Sequence, residues 1–132
     1  MKKVAFVCIG NACRSQMAEG FARAYGCDVM EPHSGGLFPT FAVPAETQRA
    51  MEEKNIDISE QFPKAFSVYP ANFFDLVINM SGEKLFGVSN VREWRVDDPY
   101  GMSEKKYRSV RDQIEILVMN LVLELRREQK QR

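Results

Sequence analysis

The chain has 132 residues, 45% of them hydrophobic and 27% charged, the composition of an ordinary globular protein large enough to bury a core. Eighteen basic residues balance eighteen acidic ones, which excludes a global field that would gather nucleic acid or anionic membrane. No apolar run is long enough to span a bilayer, and Met1-Lys2-Lys3 leads straight into a strand rather than a signal peptide. Three cysteines, an odd number, then fit a reducing cytoplasm. No repeat or shift of composition divides the chain, so residues 1–132 are expected to form one domain.

The first pattern is a strand over Lys3–Cys8, then a loop, then a helix over Arg14–Tyr25 with Met17, Phe21 and Ala24 on one face and Gly26 as its stop. The loop and its flanks read Cys8-Ile9-Gly10-Asn11-Ala12-Cys13-Arg14-Ser15. The open N–H groups and positive dipole end of the helix face whatever sits in the loop. The same field favours the anionic, nucleophilic form of the Cys8 sulfur. Arg14 stays charged and offers a planar fork to two oxygens of a tetrahedral oxyanion. A lone cysteine at a strand end would be a small core residue. A cysteine, five residues, then Arg-Ser between a strand and a helix makes an oxyanion-binding loop the better reading. Cys8 and Cys13 have no close-set Cys or His partners, so no zinc site is expected, and no cofactor is called for.

A weaker strand over Asp28–His33 is closed by Ser34-Gly35-Gly36. Leu37–Pro44 should be a loop near the site, with Phe38 and Phe41 either in the core or walling the pocket. A second helix runs from Pro44 to Glu53 with proline in its first turn; Lys64–Pro70 gives no clear signal. Phe74–Met80 is the strongest strand, apolar almost throughout, as a strand covered on both faces should be. Ser81–Ser89 is a loop with one turn of helix at most, Asn90–Val96 a shorter strand carrying Trp94, and Asp97-Asp98-Pro99-Tyr100-Gly101 a break. Ser103 opens a long last helix with Tyr107, Val110, Ile114, Leu117, Leu121 and Leu125 on one stripe. Met119, Val122 and Leu123 fall off that stripe and suggest a homodimer through this helix. His33 reads as structural or exposed, and Cys27 as a small buried residue. Strands alternating with helices predict an α/β parallel sheet with the loop at the carboxyl end of its first strand.

Cys8-Ile9-Gly10-Asn11-Ala12-Cys13-Arg14-Ser15, taken with Asp98-Pro99, resembles the low-molecular-weight protein tyrosine phosphatase superfamily, which also contains the thioredoxin-coupled arsenate reductases. The resemblance covers essentially the whole chain. It implies a flavodoxin-like three-layer sandwich with a four-stranded parallel sheet and a phosphate-binding loop after the first strand. It makes Cys8 the nucleophile, Arg14 the oxyanion clamp, Ser15 the group that steadies the sulfur and Asn11 the holder of the loop's shape. Ile9, Gly10, Asn11, Ala12, Cys13 and Arg14 would surround the substrate, and Asp98 would be the general acid. Cys13 matches a second loop cysteine that can form a protective disulfide with the nucleophile. The chemistry agrees: a cysteinyl-phosphate divides one hard displacement in two, and a carboxylic acid supplies the leaving group's proton. Asp97 is the rival acid, and a plain turn-forming Asp-Asp-Pro is the bland reading.

The branch is less easily read. Cys13–Gly20, Ile56–Ser59 and Trp94 before Asp97-Asp98-Pro99 are closer to the arsenate reductases, whose chemistry uses two further cysteines after the third strand. Ser81–Ser89 contains none, which excludes an intramolecular cysteine relay. Met80 fits the phosphatase branch, and Ser81, where that branch has aspartate, does not. The expected function is a cysteine-dependent phosphatase acting on phosphotyrosine in a protein or on small aryl phosphates. The alternatives are arsenate reduction with an external thiol or glutaredoxin-type partner, and a non-catalytic module binding phosphate or arsenate. Tyr100 is followed by Gly101 where these phosphatases often carry a tyrosine pair, leaving one aromatic wall. Asn11, Glu19 and Ser34 match positions that hold potassium in some arsenate-branch members, and Lys64 aligns with the remaining carboxylate. A Lys64–Glu19 pair in place of the cation is therefore expected, since a buried carboxylate needs a positive partner.

Overall fold

A computed structural model describes residues 1–131. The elements in chain order are β1 (Lys2–Cys8), α1 (Arg14–Gly26), β2 (Met30–Gly36), α2 (Ala45–Glu52), a single 3-10 turn (Phe66–Val68), β3 (Leu76–Asn79), β4 (Val91–Glu93) and α3 (Glu104–Lys130). The strands form one parallel sheet in the order β2-β1-β3-β4. Strand periodicity divides β1 between two faces. Val4, Phe6 and Cys8, with Ile78 of β3, pack under α1 and α3 on Met17, Phe21, Ile114 and Val118. Ala5 and Val7, with Val77, face the other way, under Leu37, Phe66, Phe74, Leu85 and Val88. The three layers are thus helices, sheet, and a covering of loops with the one 3-10 turn.

The helices are held to one another as the sequence pattern asks. Ser103 caps α3, its hydroxyl accepting the Lys106 N–H at 3.1 Å. The buried stripe of α3 is Tyr107, Val110, Ile114, Val118, Leu121, Val122 and Leu125. Val118, not Leu117, continues it, and Leu117 is only partly buried. Val122, expected off the stripe, is fully buried against Gly26, which leaves Ile116 and Leu123 as the exposed large aliphatics of this helix. No helix among the described residues is long and apolar enough to cross a membrane.

Strand boundaries differ from the sequence reading for tertiary reasons. β2 runs to Gly36 rather than closing at His33, because Ser34, Gly35 and Gly36 pair with Phe6, Val7 and Cys8. Those glycines are required by close approach: a Cβ on Gly35 would lie 2.8 Å from Phe66 Cα, and one on Gly36 2.8 Å from Asn11 N and Ile9 O. β3 is limited to Leu76–Asn79 and β4 to Val91–Glu93, since β4 pairs with β3 alone and only three residues keep register. Trp94 still packs, its ring 6.0 Å from that of Phe6. Ser81–Ser89 has no helical turn. Cys27, expected inside, is exposed; the buried place at the end of α1 belongs to Gly26. His33 lies half-buried, edge-on to Tyr69, Phe73 and Phe74, with Nε2 2.7 Å from Glu31.

Candidate active site

All four strands are parallel, so their carboxyl ends lie on one side, and the loop after β1 is built there. The carbonyls of Cys8, Ile9 and Gly10 accept the N–H groups of Leu37, Phe38 and Thr40 at 3.1, 2.8 and 3.0 Å. In a planar trans peptide the next N–H points opposite to the carbonyl. The N–H groups of Ile9, Gly10 and Asn11 are therefore turned away from residues 37–40, toward the inside of the loop's curve. Such a row of fixed donors, ending at the N-terminus of α1, suits a tetrahedral anion.

Asn11 makes the sharpest bend, with φ +50°, a conformation that asparagine tolerates better than most residues. Its side chain holds that bend from both ends. Nδ2 donates to Ser15 Oγ at 2.7 Å, and Oδ1 accepts the Lys64 N–H at 2.9 Å. Because Ser15 Oγ accepts from Asn11, its own proton is free for the Cys8 sulfur, 2.9 Å away. Buried Gln16 adds a strap, donating to Asn11 O at 2.9 Å and Phe62 O at 3.1 Å. The loop's shape thus rests in part on Phe62 and on the Lys64 backbone, neither of which the sequence pattern tied to the loop.

Arg14 begins α1 and is buried. One Nη donates to the carbonyl of Met80, after β3, and at 3.1 Å to that of Val96, after β4. Its Nε–H is buried with no acceptor among the described residues, and a buried donor needs one. The other Nη lies 3.6 Å from Asp98 Oδ2. Asp98 is half-exposed, and its Oδ1 accepts the Tyr100 N–H at 3.1 Å. Asp97 faces elsewhere, 2.7 Å from Lys106 Nζ, and that ammonium holds its carboxyl below the usual range, the wrong direction for a proton donor.

Cys8, Ile9, Gly10, Ala12, Cys13, Arg14 and Asp98 share one pocket of about 190 Å³, with Phe38, Thr40 and Tyr100 at its walls. Asn11 and Ser15 stand behind the loop and do not line it. Of the two rings left open by the sequence, Phe38 walls the pocket and Phe41 projects fully into solvent. Cys13, the N-cap of α1, is buried with its sulfur 3.3 Å from Thr47 Oγ1 and 3.6 Å from Tyr107 OH. Burial pushes the Cys13 thiol up, and hydrogen bonds from Thr47 and Tyr107 oppose it. Neither hydroxyl was legible as part of the site; the available signal was a threonine and a tyrosine on the buried faces of their helices.

The expected Lys64–Glu19 pair is not formed. Glu19 Oε2 is taken by Arg23, one turn further along α1, at 2.9 Å, and Oε1 accepts from Ser34 Oγ. Lys64 Nζ reaches Ser34 Oγ at 3.4 Å and Phe62 O at 2.9 Å, so it acts on Glu19 through the serine. Burial lowers the Lys64 pKa, with the nearby Glu19 charge opposing. The carboxylate found a nearer cation on its own helix. No cluster of three His, Cys, Asp or Glu side chains suited to a metal occurs among the described residues.

Fold and loop together define the class: an α/β enzyme that holds a tetrahedral oxyanion beside a cysteine. The family model for low molecular weight phosphotyrosine protein phosphatase matches residues 3–131, and the chain belongs to that family. It is 36% identical to a glutaredoxin arsenate reductase of Synechocystis sp., across 95% of this chain and 99% of that protein. It is 33% identical to an arsenate reductase of Staphylococcus aureus, across 90% and 95% of the two chains. A solved arsenate reductase in the phosphate binding state superposes with a TM-score of 0.88 at 37% identity, covering 95% of this chain and 99% of the other. The YwlE arginine phosphatase of Geobacillus stearothermophilus also gives 0.88, at 21% identity over 99% and 97% of the two chains, and shares the fold.

Proposed function

We propose that the protein is a cysteine-dependent phosphatase that hydrolyses phosphotyrosine in a protein or small aryl phosphates through a cysteinyl-phosphate. The Cys8 sulfur attacks phosphorus while Arg14 and the inward N–H groups take the charge on the equatorial oxygens. Asp98 gives its proton to the departing oxygen, then takes one from the water that releases phosphate. Ser15 donates to the sulfur and steadies it as it is displaced. The observation that supports this most is Asp98 within 3.6 Å of Arg14, in the same small pocket as Cys8, while Asp97 is tied to Lys106. Phe38 and Tyr100 at the walls suit an aromatic leaving group. Hydrolysis of p-nitrophenyl phosphate, with phosphate trapped on Cys8 by acid quench, is expected. An inactive reduced protein would reject the reading.

A second reading is reduction of arsenate with an external thiol or a glutaredoxin-type partner. It is supported by the arsenate reductases at 33–36% identity, one of them a glutaredoxin arsenate reductase. Arsenate has the shape and charge of phosphate, so the same loop accepts both. Arsenate-dependent consumption of glutathione, absent in Cys8→Ser, supports this reading; no arsenite with any thiol system removes it.

A further inference from the structure

The outer face of α3 breaks the pattern of an amphipathic helix. Opposite the buried stripe through Ile114, Val118 and Leu121 runs an exposed line of Ser109, Asp112, Ile116, Asn120, Leu123 and Arg127. Such a face should be polar throughout. Here Ile116 is 63% exposed and Leu123 44%, two turns apart on one line, with Met119 half-buried between them. Two exposed aliphatics alone would be ordinary. What sets these apart is their arrangement with the charges on either side of them.

We propose that this face binds a second copy of the chain, α3 against α3, antiparallel about a two-fold axis. Ile116 and Leu123 lie at equal distances on either side of the Met119–Asn120 peptide, and Asp112 and Arg127 at equal distances further out. A two-fold axis at that peptide, perpendicular to the helix, sets Ile116 of each copy against Leu123 of the other. It also sets Asp112 of each copy against Arg127 of the other. Arg127 is exposed and forms no ion pair among the described residues, while Asp112 meets Arg111 and Lys54 through Oδ1. Glu115 and Glu124 also come to face each other, but Lys54 and Arg92 already neutralise them at 3.0 and 2.6 Å. A parallel pair would set Asp112 on Asp112 and Arg127 on Arg127, and like charges so placed repel. The surface therefore complements itself in one orientation, which favours a second copy over an unrelated chain. One helix pair is a small interface, so the dimer is weak and depends on concentration. None of residues 109–127 lines the Cys8 pocket, so both copies keep an open site.

The test is sedimentation velocity of the whole reduced protein from micromolar to millimolar concentration. A reversible monomer–dimer equilibrium is expected. Leu123→Asp should leave a monomer throughout, since it buries an unpaired charge at the contact. Phe86→Asp, on a loop over the opposite sheet face, removes a more exposed ring and should change nothing. Asp112→Arg and Arg127→Asp should each weaken the dimer about tenfold, because each mismatched pair occurs twice. The double variant should return to within about twofold of the unaltered protein, a rescue that a misfolded chain could not give. A protein that stays monomeric at every concentration overturns the proposal. So does a dimer that survives Leu123→Asp, which would use another face. Charge variants that the double substitution fails to rescue overturn the antiparallel register, and the proposal with it.

Discussion

At the scale of single residues, side chains that look alike in the sequence stand in different surroundings. Asp97 and Asp98 are neighbours, yet one is bound to Lys106 and the other stands beside Arg14 in the pocket. Asp98→Asn should lower kcat by about 10²–10⁴-fold for a poor leaving group and much less for p-nitrophenol, which needs little proton help. Asp97→Asn should change kcat by less than about twofold, as expected for an exposed ion pair. Steady-state rates across a series of aryl phosphates separate the two. Cys8→Ser should lose on the order of 10⁴-fold or more in turnover while still binding phosphate, measurable by calorimetry. Cys8, Arg14 and the bend at Asn11 were legible because they lie within seven positions of one another. The sequence could not show Thr47 or Tyr107 on Cys13, which approach from 34 and 94 positions away.

At the scale of elements, two glycines and one ion-pair cluster carry the testable consequences. Gly36 sits at the end of β2 directly behind the loop, and an added Cβ would meet backbone atoms of Ile9 and Asn11, which cannot step aside as a side chain could. Gly36→Ala should therefore displace the loop by a fraction of an ångström to an ångström and cost on the order of 10²-fold in kcat/KM, with far-ultraviolet circular dichroism unchanged. Gly26 is a different case, since its Cβ would lie 2.6 Å from Val122 Cγ2 on α3, a β-branched side chain with little freedom. Gly26→Ala should cost about 1–3 kcal/mol in urea unfolding and leave the kcat of the folded protein alone. Between α2 and α3, the Arg108 and Arg111 guanidiniums hold the Glu53 carboxyl down at about 2. A depressed carboxyl stabilises the fold above the ordinary carboxylate range and loses that contribution as the pH falls through it toward 2. Glu53→Gln should accordingly lower Tm at pH 7, and the difference from the unaltered protein should shrink on acidification. Strand existence and order of elements followed from hydrophobic periodicity, but the reach of β2 into Ser34-Gly35-Gly36 did not. Those glycines look like a turn until the loop and Phe66 are seen pressing on them.

At the scale of the whole molecule, charge and topology divide the labour. With no net charge to attract anions from a distance, affinity must come from the end of the sheet. There four chain segments converge: residues 37–40 on the loop's carbonyls, residues 61–64 behind Asn11, and the ends of β3 and of β4 on Arg14. The covering of the second sheet face by loops was outside the reach of a sequence pattern, because irregular segments have no period to read. The most direct test of the central claim, a sulfur held ready inside an oxyanion site, is competitive alkylation with iodoacetate followed by peptide mass analysis. Cys8, although only 2% exposed, should react ahead of exposed Cys27, and phosphate or arsenate should protect it where chloride at equal ionic strength does not. A Cys8 that reacts no faster than Cys27, with phosphate making no difference, would contradict the account.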